Sequence, residues 1–444
     1  MNKRWMLCIA LLAGSQLVAC GGSNNNNSSA PAPAASGAAL LTTIPVTGIS
    51  SAVSYSFDLG QVDAATNRYY VTDRTNQSVD VVDTGTNALV SQLKNGFAGC
   101  KTVPNGAVAP NCLAVAGVAV NNDASGPDGL DIVGATIFVG DVNSLKVMDK
   151  ASGAVVKTIA IGGASGLRAD EGCFDSVDNI YAISSPGESP PFMTIVDALN
   201  FNVLATVYFQ SAGLEACVYD ATTGNFFVNN DGSTANPRGE LSGYSAATFN
   251  ALKAAATANG PGTQYQFPGA ALAGVPASPG VAFPGTSAAY PLGNCDPTGL
   301  ALGPGTDIGV MCRQGNIGDT LTFQILNKTN GAEVANLVAG GGDQIVFDAV
   351  SNRWFLSDSR WTATGRSCGG GSAACPLTPV LAIVDGTSRA LVTRLANGNN
   401  AHSVAVLPGV GGAPGKVFTP FTNPSAAGGG AAFPNGGINV SSTN

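Results

Sequence analysis

The sequence predicts an all-β fold, a seven-bladed β-propeller of four-stranded antiparallel blades, and three observations carry that expectation. A pair of short strands joined by a turn that opens on Asp or Asn recurs along the chain. Glycine numbers 58 in 444 residues and charged side chains make up only 11%, which suits many short strands and turns rather than helices. A lone strand-like segment near the start matches a strand missing from the last repeat.

The recurring unit is clearest where Val81-Val82-Asp83 leads into TGTNALVSQL, Val147-Met148-Asp149 into KASGAVVKTI and Ile195-Val196-Asp197 into ALNFNVLATV. Ile325-Leu326-Asn327 and Ile383-Val384-Asp385 follow the same plan. Each reads as an apolar strand, a turn and a second strand. Upstream lies another strand pair around a turn, best seen in Phe57 to Asp73 and Gln344 to Asp358. Four strands recurring about every 45 to 60 residues come close to the period of propeller blades.

First strands are expected near Asp58, Ala116, Glu171, Glu215, Asp296, Asp343 and His402, which makes seven blades. The seventh lacks an outer strand, and Leu40 to Gly48 is the orphan that could supply it and remove an open edge.

Residues 1–19 have the order of a secretory signal: Lys3 and Arg4, an apolar run from Trp5 to Leu12, then small residues. Leu17-Val18-Ala19-Cys20 resembles the lipobox of bacterial lipoproteins, which implies a lipidated Cys20 and attachment to a membrane. Gly21 follows the cysteine, where an Asp would resemble an inner-membrane retention signal, so the outer membrane is expected, with the domain facing the periplasm or the cell surface. Residues 20–38 form the lipidated cysteine and a polar tether, and 39–444 the propeller. The formal net charge is −8 before Lys3 and Arg4 are removed. An acidic monomer of this kind is no nucleic-acid binder, and its expected partners are the membrane through its anchor and a small molecule or protein.

Eight cysteines remain after Cys20, an even number that reads as disulfides in an oxidising compartment. The spacing favours Cys100 with Cys112, Cys295 with Cys312, Cys368 with Cys375, and Cys173 with Cys217 at equivalent places in successive repeats. Thiolate metal sites are disfavoured by the absence of Cys-x-x-Cys and the presence of a single histidine.

The stretch from Tyr69 to Leu93, YYVTDRTNQSVDVVDTGTNALVSQL, resembles the repeat of the YVTN, or YncE-like, propeller family. That resemblance implies the fold and an extracytoplasmic address. It implies little about chemistry, because one fold carries many functions.

Six of the seven expected inner-strand starts carry an ionisable group: Asp58, Glu171, Glu215, Asp296, Asp343 and His402. Blade two offers only Ala116-Gly117. Converging carboxylates repel, so such a ring needs a metal ion, a shared proton or a cationic ligand group. An oxygen-rich set points to calcium, magnesium or manganese, held by Asp58, Glu171, Glu215, Asp296 and Asp343. A second ring is expected where second strands end, at Asp73-Arg74, Asp141, Asn229-Asn230, Arg313 and Asp358 with Arg360. The same ring could instead satisfy backbone groups and water in a channel.

His402 is the only histidine and the one side chain with an ordinary pKa near neutrality. No G-x-S-x-G, H-E-x-x-H or C-x-x-C-H occurs, so nucleophile-elbow hydrolases, zinc proteases and attached c-type haem are disfavoured. The leading expectation is a binding module without turnover. The alternative is a metal-dependent lactonase or lyase on the same face, with His402 as the catalytic proton carrier. A haem-type ligand on that histidine is a third possibility.

Overall fold

The computed structural model describes residues 37–444 apart from 52, 102–111, 113–119, 162, 257–261, 269–282, 284, 314, 370 and 373. The expected signal segment, Cys20 and most of the tether lie outside the described residues, as does Ala116.

Seven antiparallel sheets form the blades of a ring. Blade one runs Phe57–Asp63, Arg68–Asp73, Ser78–Asp83, Ala88–Leu93 from the axis outward, and blade two Leu130–Val133, Thr136–Asp141, Ser144–Asp149, Val155–Ala160. Blade three is Gly172–Asp175, Ile180–Ser185, Phe192–Asp197, Val203–Tyr208, and blade four Leu214–Asp220, Asn225–Asn230, Glu240–Ser245, Ser287–Pro291. Blade five is Pro297–Leu302, Asp307–Cys312, Thr322–Asn327, Glu333–Leu337, and blade six Ile345–Asp348, Arg353–Asp358, Val380–Asp385, Leu391–Ala396. Blade seven combines Ala405–Leu407, Lys416–Phe421 and Gly437–Ser442 with Leu40–Ile44, the orphan strand, which pairs antiparallel with Gly437–Ser442.

The turns explain the repeat. Asp83 accepts hydrogen bonds from the backbone N–H groups of Gly85 and Thr86, and Asp149, Asp197, Asn327 and Asp385 do the same for the residues two or three beyond them. Asp63, Asp175, Asp220 and Asp348 serve the first hairpin of their blades in the same way. A short carboxylate or amide that replaces the next ladder bond stops the strand and turns it, which is why these residue types mark so many of the hairpins.

Each blade hides its faces against its neighbours. Tyr70, Val79 and Val81 of blade one pack on Ile137, Val139 and Met148 of blade two. Equivalent apolar layers follow between successive blades, and the last joins Ala405, Phe418 and Val440 of blade seven to Phe57, Tyr69 and Val71 of blade one. The stiff β-branched and aromatic side chains that dominate these layers are those that pack best on pleated surfaces.

The Pro- and Gly-rich part of blade four departs from the simple repeat. Between its third and fourth strands the chain leaves the blade and adds Thr263–Gln266 parallel to the outer strand of blade three. Tyr244, Phe249, Tyr265, Phe267 and Phe283 pack together beneath this excursion.

All four expected disulfides form: Cys100–Cys112, Cys173–Cys217, Cys295–Cys312 and Cys368–Cys375. Cys173–Cys217 ties the innermost strands of blades three and four. Four disulfides mark an oxidising, extracytoplasmic location. Among the described residues no helix is long and apolar enough to cross a membrane.

Candidate functional site: a charged channel mouth

A cavity of about 770 Å³ opens where the innermost strands begin. Its register is fixed by the first hairpins. In blade one Asp63 faces Arg68, and five residues earlier stands Asp58. The same count from Val133, Asp175, Asp220, Asp348 and Leu407 reaches Asp128, Asp170, Glu215, Asp343 and His402. In blade five Pro297 faces Cys312 as Phe57 faces Asp73 in blade one, so Thr298 holds the place of Asp58.

Four of the expected starts therefore hold their register: Asp58, Glu215, Asp343 and His402. Blade three is off by one, since Asp170 occupies the equivalent place and Glu171 follows it. Blade two does not start at Ala116; its inner strand is Leu130–Val133, and its channel residue is the buried Asp128. Asp296 lies two residues before the equivalent place and outside every cluster of convergent ligand atoms. Arg238 holds it instead, with Nε 2.8 Å from Oδ1 and Nη2 2.5 Å from Oδ2.

The channel supplies much of its own positive charge. Arg74 reaches Asp58 at 2.8 Å and also binds Asp128, while Arg168 reaches Asp170 at 2.9 Å and Asp128 at 3.7 Å. Burial works against a charge on Asp58, yet Arg74, the His402 hydrogen bond and Arg168 together hold its carboxyl below the usual range. The Asp58, Asp128 and Asp170 oxygens lie within 4.8 Å of one another, but two arginines already fill that set, so it does not fit a metal ion.

Glu171, Glu215 and Asp343 are different. Their carboxylate oxygens also fall within 4.8 Å of one another. Glu215 meets Arg313 at 3.4 Å, an arginine shared with Asp231 at 3.1 Å. Glu171 is only 8% exposed as a residue, and its side chain has no ion pair or hydrogen bond among the described residues. Burial first, then the fields of Asp343, Asp170 and Glu215, push its carboxyl well above the ordinary glutamate range. Arg313 meets Glu215, while Glu171 and Asp343 have no ion-pair partner among the described residues, and the all-oxygen donor set suits a hard divalent ion or an ammonium group.

His402 stands beside the trio. Its ring stacks on Phe57 at 4.6 Å, its Nδ1 lies 2.7 Å from the Asn400 carbonyl and its Nε2 lies 3.4 Å from Asp58 Oδ1. A carbonyl so close requires a proton on Nδ1, which leaves Nε2 to hold or pass the exchangeable one. Burial opposes a charge on this ring, but Asp58, Asp343 and the Asn400 carbonyl raise its pKa above the usual value.

The expected second ring divides. Arg74, Arg313 and Arg360 line the cavity. Asp73 binds Asn76 in a turn, Asp141 pairs with Lys146 at 3.0 Å, and Asn229 donates to the Thr298 and Gly299 carbonyls across the blade four to blade five boundary. Asp358 is fully buried away from the cavity. The Pro-rich loop from Ser184 to Phe192 forms no wall of the cavity; its Glu188 accepts from the Ser165 and Leu167 N–H groups and ties down the preceding connection.

Fold and site together define a seven-bladed β-propeller with a polar, mixed-charge channel mouth. No family model matches the chain, and no curated protein matches it.

Proposed function

We propose that this chain is an exported, membrane-anchored propeller that binds a divalent metal ion or a small cationic ligand at the acidic part of its channel mouth. The observation that carries the reading is the buried, unpartnered Glu171 converging with Glu215 and Asp343. Arg313 answers only Glu215, so leaving Glu171 and Asp343 beside it without a cation is costly, and a hard ion with oxygen ligands relieves it. The lipobox-like Leu17 to Cys20 supports attachment through lipid to the outer membrane, and the YVTN-like stretch from Tyr69 to Leu93 supports an extracytoplasmic family.

Calorimetric titration of the purified protein with calcium, magnesium and manganese chlorides tests the reading. Saturable binding of one ion, weakened at least tenfold by Glu171→Gln and by Asp343→Asn, is the expected result. Absence of binding by all three ions, or equal binding by the variants, refutes it.

A second reading is favoured by His402, whose Nε2 stands with Asp58 and Asp343 oxygens within 4.8 Å. An ion on the carboxylates would polarise a lactone or similar substrate, and His402 would move the proton. Turnover by wild type and its loss in His402→Gln, with ion binding retained, would favour this enzyme over the binding module.

A further inference from the structure

Arg360 sits on the loop after the second strand of blade six, where its backbone N–H is fixed by the Gly341 carbonyl at 2.7 Å. Its guanidinium lines the cavity and has no carboxylate within ion-pair distance and no hydrogen-bond acceptor among the described residues. Every other arginine on the cavity wall is engaged: Arg74 with Asp58, Arg168 with Asp170, Arg313 with Glu215 and Asp231. Asp343 opens the inner strand of the same blade and has no ion-pair partner either. The fields of Asp343, Glu215 and Asp231 reach Arg360, yet none of them closes to contact. Two opposite, unpaired charges on one wall suit a ligand that carries both complements.

The cavity is also too large for an ion alone. A bound ion with its waters occupies a small part of some 770 Å³. Apart from Leu377, the wall is made of charged, hydroxyl, amide and glycine residues with Cys368, which disfavours an aromatic or lipid ligand.

We propose that the channel mouth takes a small zwitterion of the amino-acid class, its carboxylate on Arg360 and its ammonium at Asp343 and Glu215, whose oxygens converge with that of Glu171. Arginine recognises a carboxylate through two parallel N–H donors, which fixes the ligand's orientation. The ammonium supplies the cation that Asp343 and Glu171 lack, Arg313 already meeting Glu215. The inference rests on the cation-binding reading for one of its two poles.

The test uses the full protein and a length series of ω-amino acids, glycine, β-alanine, 4-aminobutyrate and 6-aminohexanoate, titrated calorimetrically beside acetate and methylammonium. One member whose length spans the two poles is expected to bind at least tenfold tighter than either half-molecule. Arg360→Gln should bring that member down to the methylammonium level, and Arg360→Lys should retain part of the gain. No zwitterion exceeding its halves, or an unchanged affinity in Arg360→Gln, overturns the inference. Calcium binding without a zwitterion advantage overturns it while the cation reading stands. Failure of calcium, methylammonium and every zwitterion alike overturns both.

Discussion

Tyr181 of blade three donates its hydroxyl hydrogen to Asp131 of blade two at 2.8 Å, a bond across the boundary between two blades. Burial raises the Asp131 carboxyl to about 7, against the opposing effect of the Tyr181 hydrogen bond. In the unfolded chain the same group titrates near 4. The folded protein therefore holds this proton more tightly than the unfolded chain. The resulting stability is intact below about pH 4 and is lost as pH rises through about 7. Asp131→Asn keeps an acceptor for Tyr181 and has no charge to bury. Its melting temperature should draw ahead of wild type between pH 4 and 7 and keep a constant lead above, worth up to about 4 kcal/mol. Parallel curves across that range would contradict the assignment.

Arg74 is the shared counter-charge of Asp58 and Asp128, and all three are buried. Arg74→Met leaves the two buried carboxylates with only the more distant Arg168, an imbalance of up to about 3–5 kcal/mol. Chemical denaturation should show that loss, and Asp128→Asn added to it should recover part. A double variant no more stable than Arg74→Met would mean the pair acts through packing alone.

Gly172 lies under the ring of Tyr181, where a Cβ would stand 2.1 Å from the hydroxyl oxygen and 2.9 Å from the Ala182 carbonyl oxygen. Gly60 and Tyr69 repeat the arrangement in blade one, with a 2.6 Å approach to the hydroxyl oxygen. The glycine opens space for the aromatic ring that fills the boundary between blades. Gly172→Ala should cost about 1–3 kcal/mol in urea unfolding. An unchanged midpoint would show that the ring can move aside.

Cys173–Cys217 closes a loop of 44 residues between neighbouring blades. Restricting the unfolded chain over such a length contributes up to about 4 kcal/mol. Replacing both cysteines with serine should lower the melting temperature of the oxidised protein, and reductant should then lower it less than in wild type. Equal melting of the two oxidised proteins would argue against that bridge.

The blade plan was legible because its punctuation is local: an Asp or Asn two residues before a backbone donor ends a strand wherever it occurs. The channel was less legible because it depends on register. Asp296 is the ionisable residue nearest the start of blade five, but the bulged register that this blade shares with blades one and four puts the hydroxyl of Thr298 at the channel place. Blade two was misplaced because a long insertion precedes Leu130, although the string from Asp128 to Val133 carries the signal of a strand start. Arg168 escaped notice since it lies in a connection without periodic pattern, and its role appears only when blades one to three converge. Arg74, Arg313 and Arg360 were seen at strand ends, but that arginines neutralise half of the acidic ring is a property of the assembled circle.

Leu40 pairs with Ser441, and Ile44 with Ile438, so the closing blade joins strands separated by nearly the whole described chain. That seam sets a direction on biogenesis. Six blades can form their internal hairpins as they emerge, but the circle has two raw edges until Gly437–Ser442 arrives to clasp both. A ribosome stalled before that strand would release a chain with two sticky sheet edges, an aggregation hazard that grows with export delay. The clasp thus makes closure of the ring depend on two segments that lie far apart in the chain.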